Sequence, residues 1–573
     1  MNRPVFLMAL LAGTLQVGVA FSQDGTSANG QMTEYNRNSL TIMLVEGGKY
    51  SSELQAAINH VVVPEKFDNN MLDNRIMPDS KSSDEVGKRL EAMKVPNGII
   101  SKWFSRADDG KFNMSVIHDR GLYNATDADV VAASASKRGL SKLQDAGEKL
   151  ISHSYVMVLA YGTIKTMEQI YDEQDAARRK IAKNTGKEFK PVPRTRNGYR
   201  GEVAGFLFRL ADVASAMDNF YSNMWIFDED SPEIVAKKRQ MFDTTRFKLS
   251  FVTSVVATCE GTQLNVGEQK SKAELFDILM NSSVQNLVTG FENKVDEWKV
   301  RTALYSVFPL RAKIGTKESL TVEDRYFVYE FRMNKNNEVY ADRRGVVRAK
   351  KVVNNSHVAQ GNTNENLNQT TSKFYQIAGH KLEPGMFLEQ SNDMGVGVTI
   401  GGAGGSLGGA YINIEGLLGQ YIGITQFKFF LGGHLGFNSY NHYKFGGDDV
   451  SFAFYGGELG FSKGFFIMRN VSVSGQAGMA LEWGDALESK VKKSKLNDCL
   501  VQGLFGFVGA QLAVNIKYDM QIVGGLNYYA EVGNASLTKE TDSEESKDMG
   551  VKYSDLFDGR AGANINLGLR IQF

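Results

Sequence analysis

The chain is poor in the residues that would place it in several common classes. It has two cysteines in 573 residues, Cys259 and Cys499, too few for a disulfide framework or a zinc cluster of the usual spacing. Its 65 basic and 65 acidic residues cancel, which removes the electrostatic footprint of a nucleic-acid binder. After the leader described below, no stretch is long and apolar enough for a transmembrane helix, which needs about 20 such residues. Before residue 390, HExxH, GxSxG, GxxxxGK[ST] and a histidine pair at metal spacing are all missing, and no catalytic residue, cofactor or metal ligand is assigned. The nine prolines end at Pro384.

The first residues predict export. Met1-Asn2-Arg3 is a short basic start, Val5 to Ala20 an apolar run, and Ala20-Phe21-Ser22 a small-residue cleavage site. The run is short for a membrane span, so 1–22 is expected to be a cleaved signal peptide rather than a retained anchor. No cysteine follows that would carry a lipid. Two free thiols are expected, because the topology below sets Cys259 and Cys499 on opposite sides of a membrane.

Thirty-three of the 58 glycines lie after position 390, in the proline-free part. Proline cannot donate to a β ladder, and glycine lets bulky neighbours pack inside a narrow barrel. In the last segment Ala563, Ile565, Leu567, Leu569, Ile571 and Phe573 alternate with Asn564, Asn566, Gly568, Arg570 and Gln572, a strict period of two. The same alternation recurs over 427–437, 471–483, 508–518 and 520–532. It is weaker over 395–402, 410–421 and 450–461, the last with an expected bulge near Gly456-Gly457.

Eight strands is an even number, and each is close to the ~9–11 residues that cross a bilayer. Outer loops are expected at 403–409, 438–449, 484–499 and 533–559, and inner turns at 422–425, 462–470 and 518–520. That asymmetry, with the terminal aromatic Phe573, resembles the transmembrane domain of OmpA and related outer-membrane barrels, over about the last third of the chain. The resemblance implies an outer-membrane location and a C-terminal aromatic read by the insertion machinery. The overall style resembles outer-membrane proteins of Bacteroidota.

Residues 23–298 read as a periplasmic α/β (α+β) domain. Strands are expected at Ser39–Glu46, Phe112–Ile117 and Tyr155–Tyr161, with apolar runs at 203–211 and 248–258. Helices are expected from Ser51, over 127–137 after Asn124-Ala125-Thr126-Asp127, along Leu140, Leu143, Gly147, Leu150 and Ile151, over 165–184 and within 271–297. Residues 299–390 read as a small β-rich module with linker 354–371: Tyr326–Phe331 and Val346–Ala349 flank a turn at Asn336-Asn337, and Phe374–Gln390 leads to the barrel at 391–573. The phrase from Lys313-Ile314-Gly315-Thr316 to Arg325-Tyr326 resembles small β-modules in envelope assembly proteins of the CsgG and FlgT type.

The inward barrel face is expected to carry Glu415, Lys428, His434, Glu458, Glu482, Lys517, Glu531 and Arg570. Buried charges in so narrow a lumen must pair, which favours a plugged interior over a conducting path. His434, expected opposite Asn413 and near Glu415, resembles half of the constellation of lipid A deacylase barrels, but no serine partner stands at its height. Outside, Lys490, Lys492, Lys493 and Lys495 face Glu540, Asp542, Glu544, Glu545 and Asp548; lipopolysaccharide phosphates are the alternative partner of the lysines. His118-Asp119-Arg120-Gly121 reads as a turn, and the peptidoglycan-binding signature of OmpA-like periplasmic domains is missing.

The favoured function is a non-enzymatic outer-membrane anchor whose periplasmic domain binds a protein partner in envelope assembly, secretion or structural linkage. Outer-membrane lipid is the other partner, and nucleic acid is not one. A lipid-modifying barrel enzyme and a narrow channel are the alternatives.

Overall fold

The computed structural model describes residues 37–573 except 71, 73–74, 81, 117–143, 187, 336–338, 356–366, 392, 442–448, 488–498 and 540–546. The expected signal peptide, the His118–Gly121 turn, the 127–137 helix and both outer charge clusters lie outside the described residues, apart from Asp548.

The N-terminal sheet forms because its strands can bury both faces. In β1 (Ser39–Val45), which is buried along its whole length, Met43 and Val45 point to one apolar cluster and Leu40, Ile42 and Leu44 to another, as the two-residue period of a strand requires. β1 pairs parallel with β2 (Ser154–Tyr161). β2 pairs antiparallel with the long β3 (Arg196–Leu210), and β3 with β4 (Leu249–Leu264). Helices α1 (Ser51–Ile58) and α2 (Lys272–Glu292) cover one face. Ser83–Ala92, Val95–Trp103, Gln144–Ser152 and Val213–Asn223 cover the other. The charged run forms the helix Met167–Thr185, closed at its start by a Thr166/Gln169 capping box.

One expectation changes here. Phe112–Met114 forms no strand; Phe112 instead enters the aromatic cluster of Phe220, Trp225 and Phe242 on the helical side. Its alternation with Met114 came from packing on helices rather than on a sheet. The helix expected from Leu140 is described from Gln144. Cys259 is a buried free thiol in this layer.

The small β-rich segment closes into a six-stranded barrel. Its staves are β5 (Arg301–Val307), β6 (Leu310–Ala312), β7 (Arg325–Met333), β8 (Val339–Lys351), β9 (Ser372–Gly379) and β10 (Phe387–Ser391). The expected hairpin is β7–β8, with Tyr326 opposite Val347. Leu304, Tyr326, Val328, Val347, Phe374 and Leu388 fill its centre.

The last third closes into an eight-stranded antiparallel barrel. Its strands are β11 (Val396–Gly405), β12 (Gly409–Leu417), β13 (Phe427–Asn441), β14 (Asp449–Met468), β15 (Val471–Ala486), β16 (Cys499–Asn515), β17 (Met520–Glu531) and β18 (Gly562–Gln572). β18 pairs with both β17 and β11, completing the circle. As the alternation predicts, Ile565 (68%) and Leu567 (64%) are exposed on the outside, while Asn564 (3%) and Arg570 (4%) are buried inside.

Three details differ from expectation. β12 stops at Leu417, and Gly419–Ile422 is a helical turn. β14 runs on to Met468, so the turn expected over 462–470 is only Arg469-Asn470. Pairing passes unbroken through Gly456 and Gly457, and the irregularity lies at Phe466–Met468. The glycine pair that looked like a bulge makes room instead: a Cβ at Gly456 would stand 2.5 Å from the ring of His434 on β13.

Candidate functional site: a filled lumen sealed by the small barrel

Large polar side chains cross the lumen by lying over glycines. His434 is paired with Gly456, Glu458 with Gly432, Glu415 with Gly397, Asn527 with Gly509 and Asn566 with Gly525. At each of these glycines a Cβ would approach the facing side chain to 2.9 Å or less. Closing a sheet this tightly leaves room for one full side chain per such pair.

The charges placed there are matched. Lys428 Nζ lies 2.6 Å from Glu415, and Arg570 reaches the same carboxylate at 3.0 Å. Arg570 also donates to Thr399, Gln521 and Gln511 at 3.1, 3.1 and 2.6 Å. Tyr529 donates to Glu458 at 2.8 Å. His434 Nε2 is 2.9 Å from Glu482, which Arg560 also holds through Nε at 3.1 Å.

His434 therefore stands opposite Tyr411, two residues off the expected register, and its carboxylate is Glu482 rather than Glu415. With Arg560 gripping it, Glu482 is half of a buried ion pair. Among the described residues no serine is seen bonded to His434. Lys517 is exposed in a turn and is not a lumen residue. Glu531 accepts the Ser554 N–H.

Toward the far mouth the filling turns aromatic. Phe452, Phe454, Phe505 and Phe507 point inward and meet Tyr553, Leu556 and Phe557 from the last long connection. The segment 450–461 alternated weakly because both of its faces are apolar there, one toward the outside and one onto this plug.

The near mouth is closed by the small barrel. Glu323, fully buried, accepts from the Gln426 backbone N–H at 2.9 Å and from Gln426 Nε2 at 3.1 Å. The Tyr375 hydroxyl donates to the same carboxylate at 2.7 Å. Burial, and then the Glu323 charge beside it, push the Tyr375 phenol well above its ordinary range, so it stays a donor. Arg348 binds the Glu323 carbonyl at 2.7 Å and pairs with Asp393, just before β11.

The other short connections grip as well: Asn515 Nδ2 donates to the Ile377 carbonyl at 2.5 Å, and the Tyr518 hydroxyl to the Arg343 carbonyl at 2.5 Å. Val346, Ile377 and Ala378 form an apolar seam with Phe466 and Tyr518. The cavity left between Arg348, Asp393, Glu415 and Lys428 is about 20 Å³, room for roughly one water. Sequence reasoning found neither Glu323 nor Gln426; nothing local marks a lone Glu in a loop as the centre of a contact 103 residues away.

Among the described residues no group of side chains is arranged to hold a metal ion. No family model and no curated protein matches the chain. About a third of it is similar to solved barrels. One is the N-terminal β-barrel domain of Pseudomonas aeruginosa OprF, at 12% identity over 32% of this chain and 100% of that one, TM-score 0.20. Others are Neisserial surface protein A, at 12% over 31% and 94%, TM-score 0.20, and Ail, the attachment invasion locus protein of Yersinia pestis, at 12% over 31% and 95%, TM-score 0.19. Such distant likeness carries no inference about activity. The eight-stranded closure stands on the strand pairing of this chain.

Proposed function

We propose that this protein is an outer-membrane anchor that holds a rigid periplasmic body in place for a protein partner in envelope assembly, secretion or structural linkage. The observation that carries the proposal is the junction. Every near-mouth connection of the large barrel bonds to the small one, so the small barrel is held on the large one without a flexible joint. The apolar outer belt and closed ladder support a lipid setting, since a bilayer core tolerates only strands with every backbone group paired.

On this reading the near mouth is periplasmic and the α/β body lies on that side. A channel gains no support from a lumen blocked by matched charges and an aromatic plug. A lipid hydrolase gains none from a histidine whose carboxylate is locked by Arg560. Lipopolysaccharide phosphates are the proposed partner of the Lys490–Lys495 cluster.

The test is photo-crosslinking in intact cells from Ile234 and Val256, both exposed on the α/β body. The expected result is a recurrent adduct with one envelope protein. Labelling of either position by an impermeant reagent outside unpermeabilised cells would place the body on the wrong side. Absence of any adduct would remove the partner.

A further inference from the structure

Charge is balanced over the whole chain and sharply unbalanced in one place. Residues 178–196 hold eight lysines and arginines against the single acid Glu188. They form an arm: the second half of the helix Met167–Thr185, a reversal at Gly186, whose φ is 67°, and a return to the start of β3. Of this helix only Tyr171 and Asp175 are buried, and from Arg178 to Gly186 every residue but the half-buried Ala182 is exposed.

The arm is built rather than loose. The Val192 N–H donates to Asp175 at 2.6 Å and the Arg196 N–H to the Tyr171 hydroxyl at 3.2 Å, while the Arg179 guanidinium lies 4.8 Å over the Phe189 ring. Arg194 is paired with Asp172 at 2.8 Å and with Asp175 at 3.5 Å. Arg178, Lys180, Lys183, Lys190 and Arg196 are exposed and make no ion pair among the described residues. Cations in a last helical turn favour the macrodipole. Lys190 and Arg196 lie beyond the helix, however, and Arg179 and Lys183, four residues apart, repel each other. Folding does not call for this crowding, and an outside anion relieves it. At the root of the arm Met167, Tyr171, Arg194, Arg196 and Tyr199 line a cleft of about 400 Å³.

The form of the arm selects among polyanions. A membrane-surface helix needs a broad apolar face, and Ile181 is the one large exposed apolar side chain on this helix. At ~100° per residue, Arg178, Arg179, Lys180 and Lys183 span roughly 200° of the helix, more than a flat bilayer meets. An extended chain rich in carboxylates can follow such a curved surface.

We infer that residues 178–196 dock an acidic, extended segment of the protein partner. Its carboxylates meet Arg178, Lys180, Lys183 and Lys190, and its end enters the cleft beside Arg196. This rests on the reading of a partner-binding periplasmic body and deepens it by naming the surface and the chemistry of the partner.

The test uses the full chain in intact cells with a benzophenone amino acid in place of Ile181. The expected adduct is one recurrent protein whose crosslinked peptide, mapped by mass spectrometry, carries a clear excess of Asp and Glu. Lys180→Gln, Lys183→Gln and Lys190→Gln together should lower its yield severalfold. Lys102→Gln, Lys237→Gln and Lys248→Gln, an equal loss of exposed charge elsewhere on the body, should leave it unchanged. A crosslinked peptide without that excess, or a yield that does not distinguish the two triple variants, would overturn the acidic chemistry. An adduct with lipid or with cell-wall material would assign the arm to another anion and overturn the proposal likewise. If position 181 gives nothing while Ile234 or Val256 gives its adduct, the arm fails and the partner stands. If all three give nothing, the partner reading itself fails.

Discussion

Asn470 and Gly379 exchange two hydrogen bonds across the junction of the barrels: the Gly379 N–H donates to Asn470 Oδ1 at 2.6 Å, and Asn470 Nδ2 returns to the Gly379 carbonyl at 3.1 Å. Both residues have positive φ, 71° and 103°, so two tight turns present these groups to each other. Asn470→Gly keeps the turn and removes the side chain. Each lost bond contributes about 1 kcal/mol, so the variant should loosen the dock by roughly that amount or twice it, read as faster hydrogen exchange at Gly379. Unchanged exchange would show that the contact does not hold the barrels together.

Glu482→Ala should be far more damaging, because it strands Arg560 in the lumen and removes the partner of His434. Breaking one side of a buried pair costs about 3–5 kcal/mol, visible as a lower melting temperature in detergent. Glu482→Leu with Arg560→Met should recover much of it. A double variant no better than the single one would contradict the pairing.

Gly509→Ala would set a methyl 1.9 Å from Asn527 Oδ1 and should cost about 1–3 kcal/mol, the range of an overpacked core. Gly402→Ala, with nothing within 4 Å of its Cβ, should be close to neutral. Equal stabilities for the two variants would remove the claim that glycines make the lumen's room.

Full-length protein in planar bilayers should give no steady open level, since matched charges block one half of the lumen and Phe454, Tyr553 and Phe557 the other. A persistent conductance in most recordings would refute the filled lumen.

Lys66 is buried against Glu292 behind the sheet, and burial brings its ammonium down to about 7. Between that value and its ordinary value near 10.5 the unfolded chain holds the extra proton, so this group makes stability rise with pH across the window. Below pH 7 both states are charged and its destabilising effect is complete. Lys66→Met with Glu292→Leu should flatten the rise in melting temperature between pH 7 and 10; an unaltered slope would mean the lysine stays charged in the fold.

Much of the architecture could be read along the chain because a strand's geometry is local. Ile565, Leu567 and Leu569 face outward and Asn564 and Arg570 inward through the two-residue period alone, and that same period located all eight strands. Helices from Ser51, over 165–184 and within 271–297 were likewise expected, and α1, Met167–Thr185 and α2 form there. Phe112 and Met114 show the limit: alternation is also produced by a segment packing on helices, and only the neighbours tell the two apart.

What the amino-acid order determined by itself was therefore most of the strands and helices, the closure of the last third, and most of the residues that turn toward its lumen. Partnership was decided by tertiary structure. His434 meets Glu482 rather than Glu415 because a helical turn after Leu417 sets the β12–β13 register two residues away from the expected one. Glu323 meets Gln426 because two independently closed barrels dock side against mouth. Such pairings depend on how rigid bodies settle against each other over long loops, and no short-range rule of spacing or propensity encodes that distance.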